Sequence, residues 1–345
     1  MKRLMTVALS FSLITACGGG GGSGGDNGGN NDNTPASDLL TITTSNMTAV
    51  ASVTLSTITG VTGIGTSFVS ISGTSSNSQY HSVSSRDLLK RQLDHVRELL
   101  TGKTGQKLSA QAVPAATENC DNPGGTLDVT YRDADNNGRL SAGDSFDFRY
   151  RNCQDNALAI TTDGQLTLQV TNVVGDVVNE IPPYTFEGRL DFDELYVIDN
   201  NTDDSSTNNG DIIFSLNTND NIIFNFKFSG NSLADTQDSI TNKLLDYQLF
   251  QTDNDSTGEY LIWGNGTVQG SGIGGTVDCQ ILASNSLKGV GDAYPSEGIV
   301  DITGKASRLF VTALDSTYVR LALDSDNDGV TDSSQDVTWN ELLSD

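Results

Sequence analysis

From about Gly124 onward the chain places an apolar residue at every second position. The runs are Leu127, Val129 and Tyr131; Phe146, Phe148 and Tyr150; Leu166, Leu168 and Val170; Ile222, Phe224, Phe226 and Phe228; and Val319, Leu321 and Leu323. A period of two puts each set on one face of an extended strand. Clusters of Asn, Asp and Gly separate the runs, and no helical pattern of useful length lies between them. That combination predicts antiparallel strands with one buried and one wet face. The expected fold is mainly β: an antiparallel meander of roughly ten to fourteen strands, arranged as a curved sheet, a partly closed barrel or a sandwich. One or two N-terminal helices would cover its apolar side.

Those helices come from residues 38–110. Met47, Val50, Ala51, Leu55 and Ile58 fall on one helical face, although Val53 and Leu55 also fit a Thr-rich strand. The segment SSRDLLKRQLDHVRELLTG is clearer, with Leu89, Leu93, Val96 and Leu100 as an apolar stripe. Ser84 or Ser85 can cap its start and Gly102 stops it. Arg86, Lys90, Arg91, Arg97, Lys103 and Lys107 surround this stripe. They read either as a solvated face opposite an acidic domain or as a contact for phospholipid headgroups. His95 lies on the same polar face, where exposure to solvent is expected. Residues 111–345 form the β-domain.

Within that domain, TLDVTYR and SFDFRYRN make a hairpin if Tyr131 pairs with Phe146. In this register Cys153 faces Gly124, four residues from Cys120 across a Pro-Gly-Gly turn, so a Cys120–Cys153 disulfide is expected. Cys279, followed by Gln-Ile-Leu, is then a buried free thiol with no basic neighbour to activate it.

The hairpin connection is DADNNGRLSAGD, residues 133–144. Calcium takes several oxygen ligands from a loop that a glycine lets turn sharply. Asp133, Asp135 and Asn137 would supply side-chain oxygens, Arg139 a backbone carbonyl, and Asp144 the closing carboxylate, with Ser141 acting through water. Asp at the last place resembles dockerin-type calcium loops, but those are flanked by helices and these flanks read as strands. The resemblance therefore implies loop chemistry and no cohesin partner. DSDNDGVTD near the C-terminal end resembles the thrombospondin type 3 repeat over nine residues, with Asp324, Asp326, Asp328 and Asp332 as the matching acids. Gln335 departs from an acid at the twelfth place, and Asp336 is adjacent. Both loops are candidate calcium sites; the bland alternative is that Asn, Asp and Gly build polar turns. Asp199 to Asp211 and Asp253 to Glu259 lack the spacing and read as turns.

The first residues, MKRLMTVALSFSLITAC, combine a basic start, a short apolar stretch from Leu4 to Ala16, and Cys17 after a small residue. The stretch is shorter than the roughly 20 residues a spanning helix needs. Ile14-Thr15-Ala16-Cys17 resembles the lipobox of bacterial lipoproteins. That resemblance implies a signal peptide over residues 1–16, a lipidated Cys17 and, with Gly18 next, transport to the outer membrane. Residues 17–37 are then the lipidated Cys and a Gly/Asn-rich tether with a reach of roughly 25 Å. Removing residues 1–16 takes away Lys2 and Arg3 and no acid, which lowers the formal charge from −25 to −27. Such a charge disfavours nucleic acid as a partner and favours cations.

Motifs for catalysis are sparse. The chain has two histidines, His81 and His95, both outside the β-domain. Its one G-x-S-x-G match, Gly21 to Gly25, is part of the Gly-rich tether, and it holds no H-E-x-x-H or phosphate loop. GSGIGG at 270–275 reads as a bend or bulge. Carboxylate pairs for glycoside hydrolysis are not readable from sequence spacing. Trp263 and Trp339 are either core or a sugar-stacking platform. The whole resembles the broad group of Gram-negative lipoproteins with a Gly-rich tether and an acidic β-rich domain, a group name that carries no activity. The expectation is a non-catalytic structural, adhesion or binding module of the cell envelope, anchored by its N-terminal lipid, with calcium-stabilised loops. Two alternatives stand beside it: a carrier holding a lipid or other apolar ligand on a concave sheet, and a calcium-dependent protein that binds or hydrolyses glycans. The sequence assigns no oligomeric state.

Overall fold

The structure is a computed structural model that describes residues 39–62, 85–100, 113–156, 159–200, 205–237, 239–291 and 293–343. The leader, Cys17, the tether, His81, Ser84, Gly102, Lys103 and Lys107 lie outside these residues. Two helices, α1 (Met47–Thr62) and α2 (Ser85–Leu100), precede the strands. The first strands are β1 (Val113–Asn119), β2 (Thr126–Arg132), β3 (Ser145–Asp155), β4 (Ile160–Asp176) and β5 (Ile181–Asp199). They continue as β6 (Ser205–Thr218), β7 (Ile223–Gln237), β8 (Ile240–Asn254), β9 (Glu259–Gly270) and β10 (Gly275–Ile281). The last are β11 (Leu287–Val290), β12 (Ile299–Gly304), β13 (Ser307–Ala313), β14 (Tyr318–Asp324) and β15 (Ser333–Thr338), and a short α3 (Trp339–Leu343) follows.

All fifteen strands belong to one sheet whose order follows the sequence. Every ladder between strands is antiparallel. β10 and β11 lie end to end along β9, the first on Gly264–Gly270 and the second on Glu259–Ile262. The sheet is not closed: β1 and β15 are its edges. The expected antiparallel meander is therefore present and not closed, with fifteen strands rather than the ten to fourteen expected.

A row of bulges crosses the sheet at one level. The register slips at Tyr150/Cys153 on β3, Asp163/Gln165 on β4, Phe192/Leu195 on β5, Gly210/Ile213 on β6 and Leu245/Gln248 on β8. Each bulge bends its strand and increases the local twist, so aligned bulges curve the sheet along that line. Gly210 (φ 118°) and Gly264 (φ 146°) sit on this row, where a Cβ would run into the carbonyls of Ser232 and Gln248. GSGIGG is the turn between β9 and β10 rather than part of the row.

The alternating residues form the core. Phe146, Phe148, Leu166, Leu168, Leu321 and Leu323 are fully buried, while Ile222 is exposed just before β7. Helix α1 covers part of the same face, packing against β8, β9, β13, β14 and α3. Its buried face holds Met47, Val50, Ala51, Leu55, Ile58 and Val61. The Thr-rich sequence is compatible with a helix because Thr57 and Thr62 bond back to the Val53 and Ile58 carbonyls at 2.6 and 3.1 Å. Helix α2 buries Leu89, Leu93, Val96 and Leu99, the last in place of the expected Leu100, which is only partly buried. Gln92 is fully buried beside them and donates to the Tyr150 hydroxyl at 2.8 Å, fixing α2 on β3.

Candidate metal centres

The β2–β3 hairpin forms in the expected register, with Tyr131 opposite Phe146. Its open end carries the Cys120–Cys153 disulfide, with Cα atoms 5.2 Å apart. Cys279 is a buried free thiol that donates to the Gly266 carbonyl at 3.1 Å. Burial, and then the charge of Asp278, push its pKa up to about 12, which removes it as a thiolate nucleophile.

At the closed end, one carboxylate oxygen from each of Asp133, Asp135 and Asp144 lies within 4.8 Å of the other two. Two calcium–oxygen bonds of about 2.4 Å span the same distance. Asp133 accepts the N–H groups of Asn137 and Gly138 at 3.2 and 2.7 Å, and Asp135 accepts Asn137 N–H at 3.2 Å. The Asn137 side-chain oxygen accepts Arg139 N–H at 2.6 Å. Desolvation raises Asp133, but the hydrogen bonds from Gly138, Asp135, Asn137 and Asn136 outweigh it and hold the carboxyl below its ordinary value.

Asp144 is 1 % exposed and closes the loop, accepting from Ala134 N–H (3.0 Å), Ser141 N–H (2.8 Å) and Tyr131 O–H (3.2 Å). The same hydroxyl reaches the Arg139 carbonyl at 3.3 Å. Burial, and then the charge of Asp144, raise the Tyr131 phenol and keep it a donor. Ser141 Oγ lies 3.3 Å from Asp135 and 3.4 Å from Asp144. Leu140 packs against the core beside them.

The β14–β15 connection repeats this arrangement. Asp324 accepts Asp328 and Gly329 N–H at 3.1 and 2.8 Å, Asp326 accepts Asp328 N–H at 3.3 Å, and Asp328 accepts Val330 N–H at 2.8 Å. The fourth and sixth places have positive φ in both loops: Asn136 and Gly138 at 57° and 70°, Asn327 and Gly329 at 59° and 89°. Here the closing group is the ninth residue. Asp332 accepts Ser325 N–H at 2.8 Å, as Asp144 accepts the N–H of the second residue of its own loop. The Ser325 hydroxyl, and then its N–H, hold the Asp332 carboxyl below its ordinary value. Asp324, Asp326 and Asp332 offer oxygens within 4.8 Å of one another. Gln335 and Asp336 turn elsewhere, Gln335 to Thr48 of α1 at 2.8 Å and Asp336 to Arg320. An all-oxygen donor set around a glycine turn fits calcium in both places.

Other sequence expectations fall differently. Arg97 is not part of an open basic face: its guanidinium bridges Asp94 (2.9 Å) and Glu180 (2.8 Å) and donates to the Val177 carbonyl. His95 is not solvent-exposed; its side chain retains 17 % exposure, beside Glu118 and with its ring 6.2 Å from Phe148. Trp339 is core, stacked on Tyr294. Trp263 lies on the opposite face to buried Ile262 and stacks on Phe250 at 5.5 Å and 8°, with Lys227 over the Phe250 ring. The helical spacing of His95 and Glu98 was the only sequence trace of their approach to Glu118.

No family model, curated protein or solved structure matches the chain.

Proposed function

We propose that the chain is a lipid-anchored lipoprotein of the cell envelope, attached through Cys17 to the outer membrane, whose sheet is a non-catalytic structural or adhesion-type module stiffened by two calcium ions. One observation carries the calcium reading: two loops far apart in sequence converge on the same turn, the same chain of side-chain-to-backbone hydrogen bonds and the same trio of carboxylates. Asp133, Asp135, Asp144, Asn137 and the Arg139 carbonyl would hold one ion; Asp324, Asp326, Asp328 and Asp332 would hold the other. Bound there, calcium would offset two of the three negative charges of each trio and fix the end of its hairpin. Calorimetric titration of calcium into the chelator-treated full chain in detergent tests this, with melting followed in parallel. Uptake of one ion per loop with a raised melting point is expected. An absence of both heat and shift sinks the reading.

A specific observation also favours glycan contact. Trp263, stacked on Phe250, is only partly buried although it packs against the core, and sugar rings stack on aromatic faces of this kind. The carrier alternative has less support, because α1 and α2 cover the apolar face that an acyl chain would occupy.

A further inference from the structure

His95 and Glu98 stand three residues apart on α2 and so project to the same side of the helix. Edge strand β1 supplies a third group. Glu118 pairs with Leu127, a core residue, and paired residues of antiparallel strands share a face, so Glu118 is directed toward the side that α2 covers. A ring nitrogen of His95 and an oxygen from each glutamate lie within 4.8 Å of one another.

The spacing within this group differs from that of a hydrogen-bonded pair. His95 Nδ1 stands 3.6 Å from Glu118 Oε2, beyond hydrogen-bond reach. Two ligands of a tetrahedral zinc ion with bonds of 2.0–2.1 Å are separated by about 3.4 Å. The imidazole ring is held from behind by Phe148, and both its nitrogens are shielded from water. Two carboxylates thus meet an imidazole in a partly desolvated place.

We propose that His95, Glu98 and Glu118 bind one divalent transition cation, of which zinc is the probe, and that this ion ties α2 to edge strand β1. An imidazole donor selects against calcium, which takes oxygen ligands, and in favour of zinc. The site is separate from both acidic loops and independent of their occupancy.

His95 is the only histidine among the described residues, which gives a clean test. The full chain in detergent is treated with chelator and saturated with calcium to occupy the all-oxygen loops. Zinc is then titrated calorimetrically, with cobalt as an absorbing substitute. Wild-type chain should take up one zinc, and His95→Gln should bind it at least tenfold more weakly while keeping the calcium-induced rise in melting point. Glu118→Gln provides the same reading should His95→Gln fail to fold. A wild-type chain that takes up no zinc, or variants that bind it as tightly as wild type, would overturn the assignment.

Discussion

Replacing Asp144 and Asp332 separately by Ala should give different penalties before any metal is added, although both residues close equivalent loops. Asp144 is 1 % exposed and satisfies three donors: Ala134 N–H, Ser141 N–H and Tyr131 O–H. A buried donor left without an acceptor costs about 1–3 kcal/mol, and water entering the emptied site recovers part of that. Asp144→Ala should therefore destabilise the chelated protein by about 2–4 kcal/mol. Asp332 is surrounded by water and holds only Ser325, whose N–H and hydroxyl can be solvated in its absence, so its removal should cost much less. Urea unfolding in excess chelator measures both losses. Repeating it with calcium should show each variant missing the stabilisation from one ion. Equal costs in chelator would refute the argument from burial. Full calcium stabilisation in both variants would refute the ligand assignment.

Asp235 on β7 faces Asn208 and Asn242, and its Oδ1 has no hydrogen-bond partner. Burial raises its pKa to about 6, against a lowering by Ser206. A carboxyl with a raised native pKa favours the protonated fold: its contribution is fully present below the unfolded value of 3.8 and is lost as pH rises through about 6. Asp235→Asn should remove about 2–3 kcal/mol of pH dependence from the interval between pH 4 and 7; an unchanged pH–stability curve contradicts this. Asp133 and Asp332 act lower, because their depressed values make stability fall only as pH drops below the ordinary aspartate value. Reducing the Cys120–Cys153 bond, which spans 33 residues, should cost about 3–4 kcal/mol in denaturant unfolding, and a change below 1 kcal/mol would speak against a loop-closure role. Trp263→Ala should weaken retention on immobilised polysaccharide without changing the calcium response, and retention equal to wild type removes the glycan reading.

The hairpins were legible because a period of two specifies both the strand and its buried face, and the acidic loop fixes where Tyr131 meets Phe146. The bulges were not legible. Gly210 and Gly264 carry their meaning only beside the Ser232 and Gln248 carbonyls, which belong to neighbouring strands. In α1 the Thr residues left helix and strand in balance, and the spacing of Met47, Val50, Leu55 and Ile58 matched the outcome. The clustering of the carboxylates in both loops was readable because each group lies within twelve residues of sequence. Asp332 as the closing group of the second loop needed the hydrogen bond from Ser325. His95 was misjudged because its environment is set by Glu118 and Phe148, 23 and 53 positions along the chain.

The positions of these groups in the strand order connect them to a physical requirement of the fold. An open sheet has two edges, and edge strands are held by a ladder on one side only. Local opening begins where such support is weakest. The β14–β15 loop closes the hairpin that contains one edge strand, and the β2–β3 loop closes the hairpin next to the other. The disulfide fastens the opposite end of that second hairpin, and the His95 group joins edge strand β1 to α2. The disulfide and the candidate cation sites thus gather toward the two edges, while the wide centre from β4 to β9 relies on its long ladders and buried aromatic residues. On this argument chelation should loosen the edges before the centre: amide exchange in β1–β3 and β14–β15 should accelerate when calcium is removed, with that in β6–β8 unchanged. Uniform acceleration across the sheet would mean that the ions stabilise the fold globally and that the edges are not its weak points.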